Sequence, residues 1–112
     1  MSFLKKLFGV GKDPQSYTFR LERAKALHGQ PVRYVTENRD GNEDVVGRGG
    51  HLTLKGDEFL LDTSGDTLFR CPVAQLEAAY LMSGDGVILR GPNLLEGGRE
   101  RTLTVHFVYY RK

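Results

Sequence analysis

Residues 50–63 read GHLTLKGDEFLLDT, and this stretch decides the fold class. Apolar residues alternate with polar ones on both sides of a Gly-Asp pair: Leu52, Leu54, Phe59 and Leu61. Alternation with a period of two puts the apolar side chains on one face of an extended strand. A Gly-Asp pair supplies the backbone angles of a tight turn. The stretch therefore predicts a β-hairpin with one buried face.

The same alternation recurs between residues 31 and 110, again interrupted by turn pairs such as Asp40-Gly41 and Ser64-Gly65. Glycines 47, 49 and 50 fall inside one long run, where a strand bends or bulges. About seven strands are predicted, at residues 31–37, 44–55, 58–63, 66–71, 75–82, 86–91 and 101–110. Strands that each carry one apolar face must curl together to bury it. The predicted fold class is mostly β, a small antiparallel barrel or roll.

A helix is predicted in front of these strands, over residues 14–28. Asp13-Pro14 has the pattern of an N-cap followed by proline at the first helical position, and Gly29 ends the segment. Its apolar stripe consists of Tyr17, Leu21, Ala24, Leu27 and His28. Residues 17–22 also alternate with a period of two, so a strand over these residues is an alternative prediction.

Composition predicts one domain with a core of its own. The chain has 112 residues, a net charge of +2 and a single cysteine, Cys71, which indicates a reducing, cytoplasmic compartment. No apolar run approaches the roughly 20 residues of a membrane span. Residues 1–39 carry eight Lys/Arg against three Asp/Glu, whereas residues 40–100 carry five against eleven. We divide the chain into a basic arm, residues 1–12, and a helix plus β-barrel domain, residues 13–112.

The arm supplies the candidate contact residues for a membrane or a partner, which are Phe3, Leu4, Lys5, Lys6, Leu7 and Phe8. At helical spacing the four apolar side chains share one side, with the lysines between them. Their burial is worth roughly 6–12 kcal/mol, and each lysine adds about 1 kcal/mol at an anionic surface. Ordering the segment costs on the order of 8–16 kcal/mol. Weak, reversible binding follows, and packing of the arm on its own acidic barrel is the alternative.

Catalytic chemistry is suggested only by residues 59–67, FLLDTSGDT, which are similar to the active-site loop of retroviral-type aspartic proteases. Ser64 stands where that family has glycine, and fewer than 30 residues separate this stretch from the similar segment at 87–95. A hairpin in which Asp62 and Ser64 bond the turn is the favoured interpretation. We therefore predict no catalytic residue, and a retroviral-type aspartic protease is kept as a remote alternative.

Metal and cofactor sites are not predicted. The chain has three histidines, His28, His51 and His106. None of them stands at the sequence spacing of a metal-binding motif from another histidine or from a cysteine. His51 and His106 fall on the polar faces of their strands, where solvated or cross-strand roles are ordinary. Cys71 is predicted to be a buried, inert thiol, with Arg70 as the only neighbouring cation in sequence.

The order of elements resembles a bacterial pleckstrin-homology-like (PH-like or GRAM-type) domain over residues 31–108. Residues 50–54 and 59–61 are similar to the second and third strands of that family, 71–76 to its turn into the fifth strand, and 102–107 to its last strand. That family closes its barrel with a C-terminal helix, a role for which the 14–28 helix is the candidate. A helix followed by a small barrel also resembles Sm-like and SH3-like proteins, with residues 27–32 as the entry.

The PH-like resemblance implies a non-enzymatic binding or adaptor module, which the arm would hold peripherally at the inner face of the cytoplasmic membrane. Its partner would be a protein or an anionic membrane surface, and a homo-oligomer is left open. The Sm-like resemblance implies a nucleic-acid-binding protein instead, using the basic arm and aromatic residues such as Tyr110. The acidic body argues against nucleic acid.

Overall fold

The computed structural model describes residues 16–108. In chain order the elements are α1 (Tyr17–Leu27), β1 (Val32–Arg39), β2 (Asn42–Arg48), β3 (His51–Lys55), β4 (Glu58–Thr63), β5 (Asp66–Pro72), a 3-10 turn (Val73–Gln75), β6 (Glu77–Tyr80), β7 (Gly86–Asn93), a second 3-10 turn (Leu94–Glu96) and β8 (Arg99–Phe107). The predicted class, a small mostly-β roll with an N-terminal helix, is confirmed. Eight strands are present among these residues rather than about seven.

The strands form two antiparallel sheets. One has five strands in the order β2-β1-β8-β7-β6, and the other has three in the order β3-β4-β5. The last strand therefore returns to pair with the first, so the chain leaves the larger sheet after β2 and re-enters it at β6. Within residues 16–108 the two sheets do not close into one barrel.

The extra strand arises at the corner between β2 and β3, where one long strand was predicted over residues 44–55. Gly49 and Gly50 both have positive φ, +74° and +99°, which L side chains rarely adopt. A Cβ on Gly50 would lie 1.9 Å from the carbonyl oxygen of Asp62. The predicted bend is therefore sharp enough to end one strand and to start another in the second sheet.

The core lies between the inner faces of the two sheets and under α1. The alternating residues of the predicted hairpin supply Leu52, Phe59 and Leu61, all fully buried. The larger sheet contributes the inward-facing residues of β1, β7 and β8: Val32, Val35, Val87, Leu89, Leu103 and Val105. Burial of these side chains supplies the main stabilisation of the fold.

The helix differs from the prediction in its start and in its buried face. It begins at Tyr17 rather than at residue 14, because Ser16 is the N-cap and its hydroxyl accepts a hydrogen bond from the Phe19 amide at 3.1 Å. Ala24 and Leu27 are buried as predicted, whereas Tyr17 is exposed. Arg20, rather than Tyr17, belongs to the buried face of the helix, because its guanidinium donates to the Leu76 carbonyl.

A buried polar cluster joins the larger sheet to the free edge of β5. Arg101 binds both carboxylate oxygens of Glu37, at 2.9 and 3.1 Å, and donates to the Leu68 carbonyl. The side chain of Asn93 accepts from the Arg70 amide at 3.1 Å and also donates to Leu68. These side chains take the place of a neighbouring strand along β5.

Candidate binding groove

A groove of about 370 Å³ lies between α1 and the outer side of β6 and β7. The helix contributes Phe19, Arg20 and Arg23 to its wall. The sheet contributes apolar and polar side chains, among them Leu76, Glu77, Ala79, Ile88, Arg90 and Thr102. This size is at the lower end of ligand-binding pockets. The groove, named here the α1–β6 groove, is the candidate functional site.

Arg23 is held at the groove by three contacts. Its guanidinium carbon lies 5.1 Å from the centre of the Phe19 ring and 4.9 Å from that of Tyr80. One nitrogen donates to the Ala78 carbonyl at 2.7 Å. Cation–π contacts with two rings and a hydrogen bond hold the planar group in one position. A guanidinium has five N–H donors, and the remaining donors of Arg23 meet no acceptor among residues 16–108.

The two helix arginines also cover the free edge of β6. Arg20 donates to the carbonyl of Leu76, the residue before β6, and Arg23 donates to that of Ala78 within β6, so side chains satisfy two carbonyls along this edge. Residues three apart lie on one face of a helix, and residues two apart point to the same edge of an extended chain. Arg20 and Arg23 are therefore spaced to reach the carbonyls of Leu76 and Ala78. The helix is thereby fixed beside the edge strand, which creates the groove.

Arg90 lies on the outer face of β7 and is already paired. Its guanidinium is 3.0 Å from Glu77 on β6 and 3.3 Å from Glu100 on β8. All three side chains are about half exposed or more, so these pairs contribute little to stability. Among the groove arginines, Arg90 therefore has carboxylate partners, whereas Arg23 has none among residues 16–108.

Cys71 lies beneath the groove wall and confirms the prediction of a buried thiol. It is fully buried, and this burial raises its pKa to about 12. The charge that acts on it is that of Arg20, which lowers the pKa, and not that of the adjacent Arg70. A thiol in this state is a poor nucleophile at neutral pH.

A second polar surface lies on the outer face of β1 and β8, away from the groove. The rings of Tyr34 and His106 stack at 4.3 Å with an angle of 14° between their planes. Arg33 lies 5.6 Å above the Tyr34 ring, and Arg48 is opposite Tyr34 on β2. The cross-strand role predicted for His106 is confirmed. Stacked aromatic rings beside arginines are a common surface for unpaired bases.

The stretch that is similar to aspartic proteases forms the predicted hairpin. Residues 59–67 belong to β4, β5 and their turn, where Thr63 pairs with Asp66. Asp62 accepts a hydrogen bond from the Thr67 hydroxyl at 2.7 Å, so its partner is a side chain rather than the turn backbone.

The predicted contact residues of the arm, Phe3 to Phe8, lie outside the described residues, as does Tyr110. The groove residues were not predicted, because Arg23 contacts Tyr80, a residue far from it in the sequence, through the tertiary structure. One signal was present in the sequence. Arg20 and Arg23 occur three apart on the same side of a helix as Ala24 and Leu27, where a buried stripe is otherwise apolar.

Among residues 16–108, no three His, Cys, Asp or Glu side chains lie close enough together to hold a metal ion. In the same part of the chain, no helix has the length and hydropathy to cross a membrane. No family model, curated protein or solved structure matches this chain.

Proposed function

We propose that the protein is a non-enzymatic binding module that uses the α1–β6 groove as its binding site. The observation that supports this proposal is the state of Arg23. Two aromatic rings and one hydrogen bond hold its guanidinium at a mixed polar and apolar groove, and its other N–H donors are available to a ligand. Fixed donors of this kind bind a partner without paying the entropy of ordering a flexible side chain. The PH-like resemblance points to the same class of function.

The groove proposal is tested by a fragment screen on the full chain, followed by amide chemical shifts. Fragments that bind should shift amides of α1 and β6. Ala79→Phe should abolish these shifts, because Ala79 lines the groove and lies outside the buried core. Ala74→Phe, on the exposed 3-10 turn outside the groove, is the matched control. Shifts that persist in Ala79→Phe would reject the groove as the binding site.

We further propose that residues 3–8 hold this module at the cytoplasmic face of an anionic membrane. The support is the sequence of the arm, with its apolar side chains on one side and its lysines between them. Co-sedimentation with anionic liposomes, for the full chain and for a version lacking residues 1–12, tests this part. The full chain should sediment more at low salt than at high salt. Equal partitioning of the two forms would end the anchor proposal.

Nucleic-acid binding is the second candidate function, and the Tyr34–His106 stack with Arg33 and Arg48 favours it. Single-stranded RNA would then bind with an affinity that falls steeply with salt. Tyr34→Ala should weaken this binding, whereas Arg23→Gln should leave it unchanged. The reverse pattern would favour the groove.

A further inference from the structure

We infer that the α1–β6 groove binds a short acidic segment of a partner protein, with Arg23 receiving a carboxylate of that segment. This inference rests on the proposed function and names its partner. An apolar side chain next to the acidic residue would occupy the floor of the groove.

The first support is the state of Arg23. Its plane is fixed by Phe19, Tyr80 and the Ala78 carbonyl, and among residues 16–108 it forms no ion pair. Arg101, by comparison, binds Glu37 in a bidentate pair. A planar guanidinium with donors left over matches the two oxygens of a carboxylate. Arg23 is thus prepared for an anion that the described chain does not supply.

The second support is the charge of the surroundings. The groove is lined by three arginines and one glutamate, Glu77. Arg90 is neutralised by its pairs with Glu77 and Glu100, so the cationic group that a bound segment would meet is Arg23. Residues 40–100, by contrast, carry five Lys/Arg against eleven Asp/Glu. A local cationic site on an acidic body attracts an anionic segment there and repels it elsewhere, which gives orientation as well as association.

The third support is the shape and lining of the groove. Ile88 is 37% exposed although it is a large apolar residue, and it lies beside Ala79 and the ring of Phe19. A volume of about 370 Å³ accommodates one or two side chains. A long acyl chain would need a deeper apolar channel. A short extended peptide with alternating acidic and apolar residues fits these dimensions.

The helix arginines obstruct the addition of the segment as a further strand beside β6. The outward carbonyls of Leu76 and Ala78 are already bonded to Arg20 and Arg23. Recognition must therefore use the side chains of the segment, its carboxylate and its apolar neighbour, rather than a ladder of backbone hydrogen bonds.

The experiment is a selection of a random heptapeptide phage library against the immobilised full chain. Clones that bind should be enriched in Asp or Glu directly beside an aliphatic or aromatic residue. A synthetic peptide of the leading sequence should shift amides of α1 and β6. Arg23→Gln should weaken its binding at least about tenfold, as expected for a charge-assisted pair. Lys25→Gln, the same change of charge on an exposed position of the same helix, should leave it unchanged.

Arg23→Lys separates charge from geometry, because it keeps the cation and loses the planar group, and intermediate affinity is expected. Neutral peptides that bind the groove equally well in Arg23→Gln would overturn the inference and leave the proposed function intact. Absence of any Arg23-dependent clone would overturn it as well. Vesicles containing phosphatidylserine that shift the α1 and β6 amides, where no peptide does so, would assign the groove to lipid instead. Circular dichroism of each variant verifies that the fold is retained.

Discussion

Arg101 and Glu37 form a nearly buried ion pair, with 8% and 13% of their side chains exposed. Removing Arg101 takes away the main partner of a largely buried carboxylate and leaves Glu37 with the exposed Arg39, at 3.0 Å. We expect Arg101→Leu to lower the free energy of unfolding by about 3 kcal/mol. Urea unfolding followed by circular dichroism measures this change. Arg99→Leu is the control, since Arg99 is 72% exposed and its pair with Glu96 is worth at most about 1 kcal/mol. Equal losses in the two variants would contradict the assignment.

The same pair predicts a specific sensitivity to acid. The hydrogen bond from Arg101 holds the pKa of Glu37 below its usual value, although burial opposes this effect. A carboxyl whose pKa is lower in the folded state stabilises the fold above the unfolded pKa of about 4.3, and this contribution is lost as the pH falls through the folded pKa. Glu37→Gln should therefore cost more stability at pH 7 than at pH 3. In an Arg101→Leu background that pH dependence should become smaller, with Arg39 responsible for what remains, and an unchanged pH dependence would contradict the role of Arg101.

Cys71 predicts a protected thiol. Because burial raises its pKa to about 12, almost no thiolate is present at pH 8, and no reagent reaches the sulfur in the folded state. A disulfide reagent such as 5,5′-dithiobis(2-nitrobenzoic acid) should react at the rate of unfolding in buffer and at once in urea. Ser83→Cys, in the exposed β6–β7 loop, provides the positive control. Immediate reaction of the native thiol in the unmodified chain would disprove its burial.

The corner between β2 and β3 is the element that most constrains the fold. Gly50 combines a φ of +99° with an approach to the Asp62 carbonyl that leaves no space for a Cβ. Gly56 has a φ of +62° but faces open space, so it isolates the cost of the backbone angle alone. We expect Gly56→Ala to cost about 1 kcal/mol and Gly50→Ala to cost clearly more, on the order of 3 kcal/mol or beyond. Thermal unfolding of both variants measures the difference, and similar costs would refute the steric explanation.

The elements themselves were predictable because their signals are local. The alternation around Leu52 and Phe59 and the turn pairs between strands require no knowledge of distant contacts. The pairing of β8 with β1, the division into two sheets and the burial of Arg20 depend on residues far apart in the chain, such as Leu76. The groove belongs to this second group, so only its arginine spacing was visible in the sequence. The role of residues 3–8 stays a prediction.

At the scale of the whole molecule, the open edges of the two sheets are covered in different ways. The edge of β6 is bonded by arginines of α1, and that of β5 by Asn93 and Arg101. At the edge of β3, the Gly29 amide donates to the Leu52 carbonyl and the Leu52 amide donates to the Gln30 carbonyl. The ring nitrogen of His28 accepts from the Leu54 amide at 2.9 Å. Among residues 16–108, the outer edge of β2 near residues 42–46 is the one with no such cover.

The uncovered edge of β2 carries two acidic residues, Glu43 and Asp44, and charges at an open edge oppose pairing with a second chain. We therefore expect the unmodified protein to sediment as a monomer. The double substitution Glu43→Thr with Asp44→Thr should produce association that increases with protein concentration, because threonine removes the repulsion and favours strand pairing. Sedimentation velocity measures the effect. Asp57→Thr with Glu100→Thr changes the net charge equally at positions away from this edge, so association in that control would show that lowered charge alone, rather than the β2 edge, is responsible. A double variant at β2 that stays monomeric would mean that the bulge at Val35 and Thr36, which bends the strand, already protects the edge.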